Sequence, residues 1–286
     1  MRSIALKEVL LHFPKRSQDS HKGTFGHILN ISGSMSFTGA AILSSLSALK
    51  IGAGYVTLAT VDSSANIVHS YTPDIPIIKL KQTTNGTISS DNTNSVIEIS
   101  KNYDVISIGS GLGQNEETAR FATDFIKANQ KPIIIDADAL NSLSEIGIEK
   151  IGGNSIITPH PKELSRLINV PTEIIQSNRE YYAIETAKSL DTIVVLKGHN
   201  TIVTDGEQIY TNKSGCSALA KAGSGDVLTG MITGIIAQKT KPLYAAILGV
   251  YLHGLTGDIA SETLTEYSVL ASDLLNFIPN AIKKIL

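Results

Sequence analysis

Short runs rich in β-branched residues recur along the chain, and the clearest of them are apolar at every interior position: Pro132-Ile133-Ile134-Ile135-Asp136 and Thr192-Ile193-Val194-Val195-Leu196. A strand with one wet face alternates apolar and polar residues. A continuously apolar strand needs cover on both faces, which is the situation of a parallel sheet. The strand candidates are 27–32, 55–59, 75–80, 104–108, 132–136, 155–158, 192–196 and 201–204. Between them lie segments with helical spacing at 38–51 (apolar at Ala41, Leu43, Leu46 and Leu49), 116–128, 162–168 and 173–190. Such alternation implies βαβ crossovers and a mostly parallel central sheet with helices on both faces. Near residue 200 the rhythm changes: 201–204, the turn Asp205-Gly206 and 208–210 predict a late antiparallel hairpin. The remainder, 225–237, 243–262 and 269–285, is expected to be helical. No Pro/Ser-rich linker, charge block or 20–50-residue repeat divides the chain, so residues 1–286 are expected to form one domain. The polar stretch 81–93 reads as a surface loop.

Charge removes one class of function. Lys and Arg total 24 against 26 Asp and Glu, a net charge of −2, which gives no support for a non-specific nucleic-acid binder. One cysteine, Cys216, excludes an internal disulfide framework and a CxxC metal knuckle. Lys7 and Glu8 interrupt the apolar start, so no signal-peptide core is expected. The apolar stretches 227–237 and 245–252 are short and carry Gly or Thr, below the ~20 residues of a membrane span. The expected setting is cytoplasmic, with no membrane contact.

Ligands of an open α/β sheet sit beyond the carboxyl ends of its strands, and unusual peptides fall there. After the first strand comes Gly33-Ser34-Met35-Ser36-Phe37-Thr38-Gly39-Ala40-Ala41, which feeds a helix. Further on stand Gly109-Ser110-Gly111-Leu112-Gly113, Thr158-Pro159-His160-Pro161-Lys162-Glu163-Leu164 and Lys197-Gly198-His199-Asn200-Thr201. Singly, each has a plain alternative. The glycines at 109, 111 and 113 miss the dinucleotide fingerprint, because Gln114 occupies the sixth position, and could form only a tight turn. His160 between two prolines could be a rigid helix entry with Pro161 as first helical residue. Asp136 and Asp138 end a strand, in either a turn role or a water- or metal-mediated one.

The sharpest signal is Ala222-Gly223-Ser224-Gly225-Asp226-Val227-Leu228-Thr229-Gly230. Glycines let successive backbone N–H groups turn toward one point, and the following helix adds its positive end, a geometry suited to a phosphate oxygen. Asp226 is then either a helix-start carboxylate favoured by the dipole or a base for a substrate hydroxyl attacking phosphorus. No Gly-Lys pair exists in the chain, which excludes a P-loop.

On these residues the chain resembles the ribokinase-like superfamily and, within it, the ADP/ATP-dependent NAD(P)H-hydrate dehydratases. The ordered motifs run from His21-Lys22-Gly23-Thr24-Phe25-Gly26, through the four loops above and Asp136-Ala137-Asp138-Ala139-Leu140, to the Gly-x-Gly-Asp turn and Tyr251-Leu252-His253-Gly254. The resemblance implies repair of hydrated NADH and NADPH: a nucleotide, ADP or ATP, phosphorylates the added ring hydroxyl, and phosphate leaves to restore the dihydropyridine. It implies Asp226 as catalytic base and substrate contact. Gly223, Ser224, Gly225, Lys197, Gly198, His199, Asn200 and Thr201 would bind the nucleotide. Ala40, Gly111, Gly113 and His160 would contact the hydrated dinucleotide. It further implies Mg²⁺ with unassigned ligands, ADP as the favoured nucleotide, a homotetramer, and a separate epimerase partner, since the dehydratase pattern begins by residue 21 and no fused epimerase domain is expected. The apolar segment 4–13 is expected to pack on a neighbouring subunit.

Ser224 replaces a usual Thr, Ser110 stands where Pro is common, and Lys162, in place of a common Gly, is expected to face solvent. Cys216 reads as a small packing residue, and His253, in an apolar helix, as a satisfied core histidine. Two other functions share part of this pattern. A small-alcohol kinase acting on a vitamin precursor or sugar would use the same Asp226 chemistry but release a stable phospho-ester. A nucleotide-sensing module would have little use for Asp226.

Overall fold

A computed structural model describes residues 2–4, 6–147 and 149–286. Its strands are β1 (Arg2–Ser3), β2 (His27–Ile31), β3 (Tyr55–Val61), β4 (Ile77–Leu80), β5 (Val105–Ile108), β6 (Ile133–Ile135), β7 (Ser155–Ile157), β8 (Ile193–Leu196), β9 (Ile202–Thr204) and β10 (Ile209–Thr211). They form one sheet in the order β1-β10-β9-β8-β7-β6-β5-β2-β3-β4. Every neighbouring pair from β8 through β4 is parallel, as the continuously apolar runs require. The expected hairpin is present: β10 pairs antiparallel with β9 through Tyr210 and Val203. Strand β9 is also antiparallel to β8, pairing Leu196 with Ile202, and β1 adds a parallel edge beside β10. Neither pairing shows in the apolar pattern, because both are set by where the chain returns.

Alternate residues of single strands enter opposite layers. Ile28, Val105, Ile134, Ile156 and Val195 face one apolar cluster, and their neighbours Leu29, Ile106, Ile133, Ile157 and Val194 face another. The helices in chain order are α1 (Leu6–His12), α2 (Thr38–Lys50), α3 (Asp62–Tyr71), α4 (Thr93–Ser100), α5 (Glu116–Ala128), α6 (Ala137–Ile146), α7 (Pro161–Ile168), α8 (Thr172–Ser177), α9 (Arg179–Leu190), α10 (Ser224–Ala237), α11 (Pro242–Leu264) and α12 (Ala271–Ile285). Helices α2, α10, α11 and α12 supply the first layer, and α5, α6, α7 and α9 supply much of the second. Burying a side chain such as Phe121 or Phe125, both fully enclosed, contributes about 2–3 kcal/mol.

Several expectations are corrected. The segment 173–190 is two helices, α8 and α9, because Asn178 turns to φ −140° and ψ 48° between them. The stretch 81–93 is more than a surface loop. Ile88 is fully buried, Thr83 and Thr87 are nearly so, and the Gly86 carbonyl accepts from the Met35 N–H at 2.9 Å, so the stretch packs over the β2–α2 loop. Helix α11 has 23 residues, slightly longer than the expected 243–262, and is long and apolar enough to cross a membrane by length and composition, where its apolar stretch 245–252 was expected to fall short. Its glycines do not interrupt it, and most of it is buried in the first layer, which makes it a core helix. In the segment 4–13, Ile4 and Val9 are buried in the chain's own core, Leu10 and Leu11 stay exposed, and Ala5 lies outside the described residues.

Helices α2 and α10 cross with almost no space between their backbones. A Cβ added at Gly230 would fall 2.0 Å from the Ser47 Oγ and 2.1 Å from the Ser44 carbonyl oxygen. This contact fixes the depth at which α10 starts behind the sheet edge. Gly230→Ala is expected to destabilise by about 1–3 kcal/mol through overpacking, measured as a lower urea midpoint. An unchanged midpoint would show that α2 can withdraw freely.

Candidate active site

The residues following β2, β5, β6, β7 and β8 converge at one sheet edge, as parallel strands dictate. At its centre is the Asp136 carboxylate, 1% exposed. Lys197 Nζ donates to its Oδ1 at 2.8 Å, and Thr158 Oγ1 to the same oxygen at 2.7 Å. Thr229 Oγ1 donates to Oδ2 at 2.8 Å. These donors come from the ends of β8 and β7 and from the second turn of α10, so one carboxylate joins sheet and helix. Burial alone would raise the Asp136 pKa, but Lys197 and the hydroxyl donors outweigh it and hold the group below the ordinary range. Burial likewise disfavours charge on Lys197, yet Asp136 and Glu163 keep its pKa raised. Both groups are therefore charged at neutral pH.

Glu163 lies 3.7 Å from Lys197 Nζ and is pushed up by burial, with Lys197 opposing. Its carboxylate accepts from the His160 backbone N–H at 2.7 Å, while His160 Nδ1 accepts from the Glu163 N–H at 3.1 Å. This reciprocal cap starts α7 and leaves His160 half-exposed at the edge. Burial and then Lys197 lower the His160 pKa, favouring the neutral ring. The Glu three residues after His160 was the available sequence signal for this cap.

The glycine turn sits against this network. Gly223 caps α10 at φ 91°, a left-handed conformation that suits glycine. In the first helical turn the N–H groups of Ser224 and Val227 donate to the carbonyls of Lys221 at 3.3 Å and Gly223 at 3.2 Å, while those of Gly225 and Asp226 stand at the positive helix end, a geometry that favours an anion. A Cβ on Gly225 would lie 3.5 Å from Lys197 Nζ, so the cradle and the buried ammonium share one approach. Asp226 lies in that first turn. Burial, then the charge of Asp136, push its carboxyl up to about 6, against the Ser110 hydroxyl and Lys197, with Asp138 pushing upward too.

A cavity of about 620 Å³ opens from the cradle, lined by Lys197, Gly198, His199, Asn200, Thr201, Ser224 and Gly225 among others. Of the residues expected at the nucleotide, only Gly223 is outside its wall; it lies under Leu43 and Ala271 and shapes the turn. Arg179, given no role from sequence, shapes the far side. Its guanidinium donates to the carbonyls of His199 at 2.6 Å, Leu196 at 3.0 Å and Lys197 at 3.2 Å. Thr201 Oγ1 closes the loop onto the Gly198 carbonyl at 2.9 Å. Cys216 and His253 also line this cavity. Cys216 Sγ, 3.4 Å from Ser261 Oγ, is thus a wall residue as well as a packing one.

Ala40, Gly111, Gly113 and His160 do not line that cavity; they lie along the same edge beyond Asp226. A Cβ on Gly111 would touch the Ala40 and Phe37 Cβ atoms at 2.7 Å. The Gly113 N–H donates to Asp138 Oδ2 at 2.9 Å. Asp138, with Asp136 and Lys197, adds to the field at Asp226. The groups that act on Asp226 come from both sets of loops: Ser110 and Asp138 from the segments after β5 and β6, and Lys197 from the cavity wall.

A mostly parallel sheet flanked by helices, with antiparallel strands at one end, places the chain in the ribokinase-like class. The chain belongs to the NAD(P)H-hydrate dehydratase family, whose model matches residues 28–280. It is 34% identical over 275 residues to the ADP-dependent (S)-NAD(P)H-hydrate dehydratase of Bacillus subtilis, covering 95% of this chain and 94% of that protein. A crystal structure of the B. subtilis ADP/ATP-dependent NAD(P)H-hydrate dehydratase, co-crystallised with ATP and Mg²⁺, superposes with a TM-score of 0.87 at 31% identity, covering 100% and 99% of the two chains. The bifunctional NAD(P)H-hydrate repair enzyme of Thermofilum pendens is 37% identical over 273 residues. That match covers 94% of this chain and 52% of the relative, so the chain spans about half the length of such bifunctional relatives.

Two outcomes follow from the geometry. Asp226 binds a proton more tightly folded than unfolded, so its contribution to stability falls as pH rises from about 4 to about 6. Asp226→Asn should therefore gain stability relative to the native chain across that interval, by up to about 3 kcal/mol, in urea unfolding at pH 4 and pH 7. A pH-independent difference would mean that the carboxyl is not perturbed. Arg179→Gln should weaken ADP binding about tenfold, by loosening the carbonyls it holds, as read by calorimetry. Native affinity would assign the loop's shape to its glycine alone.

Proposed function

We propose that this chain is a nucleotide-dependent dehydratase of hydrated NADH and NADPH, converting ADP to AMP and phosphate as it restores the dihydropyridine. The observation that carries this reading is the position of Asp226, a carboxyl with its pKa raised to about 6 in the first turn of α10, beside the glycine turn and Lys197. The cavity lined by Lys197 and Gly225 is of nucleotide size. Ala40, Gly111, Gly113 and His160 would contact the hydrated nicotinamide.

In this reading the terminal phosphoryl group of the nucleotide lies over the N–H groups of Gly225 and Asp226, with Lys197 beside it. Asp226, with its pKa of about 6, is mostly ionised at neutral pH yet basic enough to accept the ring hydroxyl's proton, the balance a general base needs. The hydroxyl oxygen attacks phosphorus, and AMP leaves. The carbon–oxygen bond then breaks, the ring nitrogen's lone pair supplying electrons as phosphate departs where hydroxide could not, and loss of a proton from the adjacent ring carbon forms the double bond that restores the dihydropyridine. Charge gathered on phosphorus during transfer meets preorganised N–H dipoles and a fixed ammonium.

Magnesium fits this site as a cation carried by the nucleotide. Among the described residues no three His, Cys, Asp or Glu side chains group to hold a metal, and both Asp136 oxygens already accept strong donors. Phosphate oxygens and water would supply most ligands, as magnesium prefers, with Asp138 the nearby carboxylate able to contribute. Bound there, the ion would neutralise phosphate charge. The proposal extends to a cytoplasmic setting, a homotetramer and a separate epimerase working on the same hydrates.

The test is incubation with hydrated NADH plus ADP or ATP, following the absorbance of restored dihydropyridine. Recovery with stoichiometric phosphate release is expected, and Asp226→Asn should lower kcat by about 10²–10⁴-fold while binding ADP nearly as the native chain does. No recovery with either nucleotide, together with phospho-ester formation on a vitamin alcohol, would replace this reading by the kinase one.

A further inference from the structure

Helix α11 is apolar through the first core layer, yet it places a histidine there. His253 is 8% exposed, and its Nε2 lies 2.9 Å from the Ser224 carbonyl oxygen at the start of α10. An apolar side chain at this position would pack as its fully buried neighbour Leu252 does, so a buried imidazole needs a reason. The turn it touches has no side-chain cap of its own, because the capping residue is Gly223. The Ser224 carbonyl and the Gly225 N–H belong to one planar peptide and point in opposite directions. That peptide lies in the first turn of α10, so a hold on its carbonyl from outside the helix adds to the helix's own bonding in aiming the N–H.

We propose that His253 is a positioning residue that donates from Nε2 to the Ser224 carbonyl and thereby aims the Gly225 N–H at the transferred phosphoryl group. The phosphoryl part of this inference rests on the function proposed above. A carbonyl only accepts, so Nε2 carries the proton and Nδ1 does not. Burial pushes the His253 pKa down to about 4, despite the bond to Ser224 and with Lys197 adding to the fall, so the ring at neutral pH has one proton to place. His253 meets the first turn of α10 and also forms part of the cavity wall. The turn is thus held by the bonding of its own helix and by a hydrogen bond from another.

The first experiment uses the intact native chain labelled with [¹⁵N]histidine. Nuclear magnetic resonance at pH 7 should show His253 as the Nε2-protonated neutral tautomer, and the Nδ1-protonated form would overturn the proposal. The second compares kcat and KM, per folded molecule, for the native chain, His253→Phe and His253→Gln with hydrated NADH and ADP. Loss of the donor in His253→Phe should lower kcat about 10- to 100-fold with the KM for hydrated NADH within about twofold, and His253→Gln, which keeps an N–H donor, should recover most of it. A native kcat in His253→Phe, or a His253→Gln variant as slow as His253→Phe, would overturn the role. Should His253→Phe fail to fold, the tautomer and the His253→Gln rate decide. Should the native chain not act on hydrated NADH, the function proposed above falls alone. In that case ADP affinity weakened in His253→Phe and restored in His253→Gln supports the positioning role, and unchanged affinity overturns it.

Discussion

Asp136 is the point at which the sheet and the working helix are joined. Its two oxygens take protons from Lys197 at the end of β8, Thr158 at the end of β7 and Thr229 in α10. A buried ion pair by itself adds little to stability, because desolvation offsets the attraction. Removing one partner, however, leaves a bare charge and costs about 3–5 kcal/mol. Here the hydroxyl donors complete the carboxylate's bonding, so the charge can stay buried. What the arrangement secures is register: α10 cannot rotate without breaking the Thr229 bond, and that rotation would carry Asp226 and the cradle with it.

The same cluster divides charge unevenly between two aspartates. Asp136 has an ammonium and hydroxyl donors, and its pKa falls. Asp226, one turn before Thr229, is buried beside that anion, and its pKa rises to about 6. Carboxyls of one residue type thus take different roles through their surroundings. The first stays an anion that fixes geometry, and the second can exchange a proton near neutral pH.

Close packing sets the remaining tolerance. The backbone contact of α10 with α2 at Gly230 fixes one side of the helix, Thr229 fixes the next, and His253 reaches the first turn from α11. Arg179 does for the 197–201 loop what these contacts do for the cradle, holding carbonyls inward so that the loop's outer face bounds the cavity. Both walls of the nucleotide-sized compartment are therefore shaped by side chains from elements outside the loops themselves.

Much of the sheet was legible in the sequence, because a strand covered on both faces must be apolar at consecutive positions, and β5, β6 and β8 are. The Gly-x-Gly-Asp turn was legible for a local reason: only glycine suits φ 91° at residue 223, and a helix start favours a carboxylate. The break at Asn178, the burial of Ile88 and the antiparallel pairing of β9 with β8 were not, since each depends on a partner distant in sequence. The sequence by itself determined which residues could bend the chain, ionise or bury, because those properties belong to single side chains and their neighbours along the chain. Only the tertiary structure decided which aspartate is held as an anion and which has its pKa raised, because a pKa is set by charges and burial that the fold brings within a few ångströms.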